Sequence, residues 1–160
     1  MRVGIAGYGV VGKTRHRSIE SNTSYKVTAI SESNQEARQS IAPGLEVYND
    51  YQSLIANAEI DVIFISLPNQ FAAEATCLSL QKGLHVFCEK PPARTHAELL
   101  EVEKKSLQFP ALKLMYGFNH RFHLSVEKAK ALIKGDSLGR IINMKGVYGK
   151  SQMINFNQTD

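Results

Sequence analysis

The opening fourteen residues, MRVGIAGYGVVGKT, constrain this chain more than any other stretch. Arg2 to Ala6 reads as a short apolar strand, and glycines at 7, 9 and 12 fall where a helix should begin. A strand that turns straight into a helix aims the helix's unpaired backbone N–H groups, and its positive dipole end, at one point that favours phosphate. In that arrangement Gly7 makes the tight turn, Gly9 leaves room for a pyrophosphate, and Gly12 lets helix and strand pack closely. The same residues also satisfy the GxxxxGK(S/T) pattern of a P-loop, with Lys13 and Thr14 as phosphate and magnesium ligands.

Two later strands separate these readings. A P-loop needs an apolar strand ending in Asp to help hold magnesium, whereas DVIFISLP, 61–68, ends in Ser66 and Pro68. A dinucleotide fold needs an acid at the end of its second strand, about 20 residues beyond the glycines, to accept from the adenosine ribose. YKVTAISE supplies it in Glu32.

Strand and helix patterns then alternate six times, which predicts a doubly wound parallel sheet of order 3-2-1-4-5-6 with ligand at the carboxyl edge. The expected helices are 10–21, with Val11 and Ile19 inward and Arg15 and Arg17 outward, then 35–41, a short one near Leu54, 72–81 and 96–108. Asp61 to Leu67 alternates too little to be wet on either face, so it is expected to be a central strand covered by helices on both sides. Beyond Phe118 the pattern changes to an amphipathic helix, 124–134, and a seventh strand in RIINMKGVYG, 140–149. One helix and one strand cannot form a stable domain. The expected organisation is therefore a dinucleotide-binding Rossmann domain, 1–118, and the start of a truncated α+β second domain, 119–160.

With 160 residues, 43% of them hydrophobic, the chain can bury one core plus a remnant. Nineteen Lys and Arg against fifteen Asp and Glu leave a formal charge of +4. It is spread over several segments with little aromatic interleaving, so solvated helix faces explain it better than a nucleic-acid interface. Cys77 and Cys88 lack any CxxC or Cys/His ligand spacing and read as free thiols of a reducing compartment. His120 and His123 have no third ligand at metal spacing, so no metal site is expected. No leader opens the chain and no apolar run approaches membrane-spanning length, which predicts a soluble cytoplasmic protein without a membrane partner.

The chemistry is expected where the strands' carboxyl ends converge: Glu32, Ser66 to Asn69, Glu89 to Pro91, and Asn119 to Arg121. A lysine there, Lys90, could hydrogen-bond a substrate hydroxyl and stabilise a developing alkoxide. The plainer alternative is that Glu89 and Lys90 pair with each other on a surface loop. A cis bond before Pro91 or Pro92 would be a way to hold Lys90 inward.

Taken together, GYGVVG, the acid of VTAISE, ISLPN, GLHVFCEKPPA, GFNHRF and the helix ending in GDSLGRI resemble the amino-terminal half of the glucose-fructose oxidoreductase / inositol dehydrogenase / MocA (Gfo/Idh/MocA) family, in order and spacing. The likeness runs over essentially the whole chain, and EKP is its most specific part. It implies an NAD(P)-dependent oxidoreductase acting on a sugar, sugar acid, nucleotide sugar or cyclitol. By that resemblance the cofactor would be bound by Gly7, Tyr8, Gly9, Val10, Val11 and Gly12 at the pyrophosphate, and by Glu32 and Ser33 at the ribose. Ser66, Leu67, Pro68 and Asn69 would line the cleft. Glu89, Lys90 and Pro91 would be the signature loop, with Lys90 catalytic, and Asn119 and Arg121 would border the same pocket.

Glu32 would repel a 2′-phosphate, so NAD is expected over NADP, although Ser33, Asn34 and Arg38 could soften that preference. Two departures matter. Where many members carry His shortly after the strand-end Pro-Asn, this chain has Ala72. The family's catalytic Asp and His, in a DxxxH arrangement, have no counterpart before Asp160, so the chain is expected to be an incomplete, cofactor-binding part of an enzyme that is a homo-oligomer when full length. The alternatives are a non-catalytic dinucleotide-binding sensor or scaffold and a P-loop nucleotidase.

Overall fold

β1 (Arg2–Ala6) leads into α1 (Val10–Glu20), and strands and helices then alternate without a break. They are β2 (Lys26–Ser31), α2 (Gln35–Gln39), β3 (Glu46–Tyr48), α3 (Tyr51–Asn57), β4 (Val62–Ile65), α4 (Asn69–Gln81), β5 (His85–Cys88), α5 (His96–Leu107) and β6 (Leu114–Tyr116). The computed structural model describes residues 1–41, 43–147 and 149. All strand pairs are parallel, in the order β3-β2-β1-β4-β5-β6, the doubly wound sheet expected from the sequence. The order reverses between β1 and β4, so the connections leaving their carboxyl ends diverge and open a crevice there.

Local chemistry sets the helix ends. Asn34 Oδ1 accepts the Ala37 amide at 2.9 Å, Asp50 Oδ1 the Ser53 amide at 2.6 Å, and Thr95 Oγ1 the Glu98 amide at 3.2 Å, which caps α2, α3 and α5. α4 starts at Asn69, three residues before the expected Ala72. Pro68, with φ −52°, has the fixed backbone angle that leads directly into a first turn.

The core lies on both faces of the sheet but unequally. On one face Ile63 and Ile65 of the sheet share a buried cluster with Leu54 and Ile55 of α3 and Ala75 and Leu80 of α4, with α5 packed against α4. On the other, Val3, Ile5, Val27 and Ile30 meet Ile19 of α1. β4 is central in order, yet Val62 and Phe64, which join the cluster around Ile19 of α1, are only half-buried. The expected inward Val11 is also corrected. It is 47% exposed, since α1 turns Gly12 to the sheet and Val11, about 100° further round, points outward.

The chain divides into two compact units, Met1–Phe118 and Asn119–Asp160. The second opens with a 3-10 turn, Asn119–Phe122, followed by α6 (Leu124–Lys134), whose bounds match the expected amphipathic helix. The seventh strand expected over 140–149 is not formed by the described residues 141–147. A strand persists only where a neighbour completes its ladder of hydrogen bonds, and Ile142, Met144 and Val147 are all largely exposed. Tyr148 and the tail from Lys150 lie outside the described residues. Among the described residues no helix is long and apolar enough to cross a membrane.

Candidate functional site

The turn between β1 and α1 is only Gly7 to Gly9 long. Gly7 has φ +87°, and a Cβ there would stand 2.6 Å from the Ser66 carbonyl oxygen. A Cβ on Gly12 would come 2.1 Å from the Gly7 carbonyl oxygen, so helix and strand touch backbone to backbone. Val10 and Val11 already belong to α1, which overturns the P-loop alternative: the residues between Gly7 and Gly12 include no loop long enough to wrap a phosphate. Thr14 Oγ1, the would-be magnesium ligand, donates to the Val10 carbonyl at 2.9 Å.

Space opens above Gly9, where an added Cβ would meet nothing within 4 Å. α1 has neither a side-chain cap nor an acidic residue in its first turn. Its first closing bond runs from the Lys13 amide to the Gly9 carbonyl at 2.9 Å, which leaves the amides of Val10, Val11 and Gly12 as anion donors.

The crevice at the sheet's switch point is a cleft of about 480 Å³. Gly7, Tyr8 and Gly9 form one wall, and Ser31, Glu32 and Ser33 continue it from the end of β2. Ser66, Leu67 and Pro68 enter from the end of β4. Asn49, Asp50, Tyr51, Gln52 and Phe71 complete the lining. These last five, with Ser31, escaped the sequence analysis. The rule that picked out Glu32 and Leu67 would have found Asn49 and Asp50 too, since they come just after the carboxyl end of β3.

Glu32 is half-buried, and its Oε1 accepts the Asn34 amide at 2.9 Å. Arg38 does not reach outward. Its Nη1 donates to the Glu32 and Ser33 carbonyls at 2.7 and 2.9 Å, so it braces the loop that presents the acid. Tyr8 bonds His16 Nδ1 through its hydroxyl at 2.5 Å, and burial pushes its phenol pKa up, aided by Glu20. On the floor, burial and a hydrogen bond to Glu74 push Tyr51 up to about 12, and its ring lies 5.9 Å from that of Phe71.

Two further features fit a polar ligand. The hydroxyls of Ser31 and Ser66, both cleft residues, are buried without a hydrogen-bond partner among the described residues. An unpaired buried hydroxyl costs about 1–3 kcal/mol, which a ligand offering a partner would recover. With the open space over Gly9 and the uncapped α1, the donor and acceptor set suits a dinucleotide's diphosphate and ribose.

The signature loop lies outside this cleft. Lys90 and Pro91 are exposed, and the bond between them is cis. Glu89 does not pair with Lys90. Its carboxylate is held by the Arg15 guanidinium, which corrects the expectation of a solvated Arg15. Asn69 is the first residue of α4 and is exposed, as is Val10 at the start of α1. Asn119 and Arg121 stand in the 3-10 turn of the second unit and are exposed.

The fold and the turn define a dinucleotide-binding α/β domain. Residues 1–107 match the model of the GFO_IDH_MocA oxidoreductase family, NAD-binding Rossmann fold, and the chain belongs to that family. D-glucoside 3-dehydrogenase of Escherichia coli K12 is 30% identical over 145 residues, 88% of this chain and 41% of that protein. Inositol 2-dehydrogenase of Corynebacterium glutamicum strain R is 27% identical over 155 residues, 92% of this chain and 45% of the relative. Scyllo-inositol dehydrogenase from Lactobacillus casei, solved with NAD(H) and scyllo-inositol, superposes with a TM-score of 0.79 at 28% identity, over 87% of this chain and 42% of that one. The chain thus spans less than half the length of these relatives.

Proposed function

We infer that this chain is the cofactor-binding part of an NAD(P)-dependent dehydrogenase acting on a hydroxyl of a sugar, sugar acid, nucleotide sugar or cyclitol. The observation that carries the inference is the three-residue Gly7–Gly9 turn, which opens an uncapped helix onto a cleft whose wall continues from that turn to a carboxylate, Glu32. The amides at the start of α1 would bind the diphosphate, with Gly9 leaving the approach clear. Glu32 would accept from the adenosine ribose hydroxyls and repel a 2′-phosphate, which favours NAD; the Arg38 guanidinium, tied to backbone carbonyls through Nη1, is engaged in bracing the loop. Ser66, Leu67 and Pro68 would line the opposite wall.

When bound, nicotinamide supplies the hydride acceptor or donor. Lys90 is proposed to hydrogen-bond the reacting hydroxyl and stabilise negative charge as it develops on that oxygen. Residues 1–118 are proposed as the cofactor domain and 119–160 as the beginning of a substrate and oligomerisation domain, to which Asn119 and Arg121 contribute. The two free cysteines, Cys77 and Cys88, support a reducing, cytoplasmic setting, and the intact enzyme is proposed to be a homo-oligomer.

Titrating the chain with NADH, by the change in reduced-nicotinamide fluorescence, and in parallel with ATP and magnesium tests the inference. Saturable NADH binding, displaced by NAD and ADP-ribose but not by Mg-ATP, is expected. Preference for Mg-ATP would defeat it.

A further inference from the structure

Glu89 and Lys90 are neighbours in the chain and opposite in charge, yet the structure separates them. In the sheet's alternation Phe87 and Glu89 point to the face covered by α1, where Arg15 lies 5.2 Å over the Phe87 ring. Phe87 in turn stacks on Phe64 at 4.8 Å between ring centres, so the guanidinium rests on a fixed aromatic platform. From there both Nε and Nη2 of Arg15 meet one oxygen of Glu89. The pair is sheltered, with 29% of the Arg15 and 14% of the Glu89 side chain exposed.

The other side of the carboxylate faces Gly117. A Cβ on that glycine would stand 2.8 Å from Glu89 Oε2, so the absence of a side chain there makes room for the carboxylate. Two cations come after Glu89 on its loop. Arg94 is engaged by Glu98 through Nε at 3.0 Å and Nη2 at 2.6 Å. Lys90 is exposed and forms no hydrogen bond or ion pair with the described residues.

We propose that Arg15 is a positioning residue that acts through Glu89: by occupying the carboxylate from α1, it keeps the adjacent Lys90 ammonium unpaired and available to a substrate hydroxyl. The value of this to the reaction rests on the proposed role of Lys90. The device itself is a competition between two cations for one carboxylate. A planar guanidinium that rests on an aromatic face and turns two nitrogens to one carboxylate oxygen wins over a flexible ammonium because it is already oriented and loses less freedom on pairing. It also ties the loop after β5 to the helix whose N-terminus would hold the diphosphate.

The experiment is acetylation of the folded chain with a small N-hydroxysuccinimide ester, without cofactor. The rate at Lys90 is read by peptide mass spectrometry against exposed Lys113 as internal reference. Arg15→Ala frees Glu89 to pair with Lys90, and the relative rate at Lys90 is expected to fall about two- to fivefold, the range of a partly exposed ion pair. Arg15→Ala/Glu89→Gln should restore it, Arg15→Lys should largely preserve it, and Glu89→Gln alone should leave it unchanged.

An unchanged or faster Lys90 in Arg15→Ala overturns the proposal, as does a fall that persists in the double variant. If Arg15→Ala does not fold, Glu89→Gln decides: a faster Lys90 would mean that the two neighbours were already paired. NADH titration of the same variants keeps the outcomes apart. Failure of every protein to bind NADH, with the labelling pattern as expected, would remove the proposed function and leave the charge competition standing.

Discussion

Replacing Gly12 and Gly9 separately by alanine distinguishes a glycine that packs from one that clears a path. At Gly12 the new Cβ would lie 2.1 Å from the Gly7 carbonyl oxygen and 3.1 Å from its carbon. An ordinary contact of this type is about 3.3 Å, so α1 must withdraw from β1 by roughly 1 Å. The obstruction is backbone and cannot rotate away, which places the cost toward the top of the ~1–3 kcal/mol range for overpacking. Alanine returns ~1 kcal/mol of helix propensity, for a net loss of about 1–2 kcal/mol.

With a urea dependence of about 2 kcal/mol/M, the unfolding midpoint measured by circular dichroism should fall by roughly 0.5–1 M. Gly9→Ala meets nothing within 4 Å, so its stability should stay within about 0.5 kcal/mol of the parent. Its methyl stands where the diphosphate would approach, and NADH affinity should fall by about tenfold or more, at least 1.4 kcal/mol. A Gly9→Ala protein that binds NADH normally, or a Gly12→Ala protein as stable as the parent, would refute the reasoning.

The same geometry predicts other outcomes. Glu32→Ala should raise the affinity for NADPH relative to NADH, measured by paired fluorescence titrations, because a carboxylate that repels the 2′-phosphate is gone; an unchanged ratio would place the ribose elsewhere. Ser31→Ala removes a buried hydroxyl with no partner among the described residues, so thermal stability should hold or rise while NADH binding weakens if that hydroxyl meets the cofactor. Burial pushes the Cys88 thiol up to about 11, with Glu89 adding to the effect and Thr76 opposing it. The unfolded thiol ionises first, so this contribution is whole below about pH 9 and is lost between about pH 9 and 11, at most ~3 kcal/mol. Cys88→Ala should flatten that part of the stability–pH curve, read by urea unfolding at each pH.

Much of the fold was legible because its signals are local. Asn34, Asp50 and Thr95 cap helices through bonds to amides three residues on, Gly7 is called for by its positive φ, and Gly12 by its contact with the Gly7 carbonyl five residues back. What stayed hidden depends on residues brought together from afar. Arg15 and Glu89 are 74 positions apart, and nothing near either one announces the pair. Val11 looked inward by hydrophobicity, but the tight seat of Gly12 fixes the rotation of α1 and turns it out. The buried hydroxyl of Ser31 is ordinary in sequence and notable only once the strands are assembled. The seventh strand failed for the complementary reason: its pattern is strand-like, but pairing is a property of neighbours.

The central claim is that the Gly7–Gly9 turn and the wall ending in Glu32 hold a dinucleotide. The most direct measurement is a backbone amide NMR titration of the chain with NADH and, separately, ADP-ribose. Both ligands should shift the amides of Gly7, Gly9, Val10 to Gly12, Glu32 and Leu67 at saturation, and NADH alone should add shifts toward Glu89 and Lys90. Saturable shifts confined to other faces, or none with the cleft intact, would contradict the account.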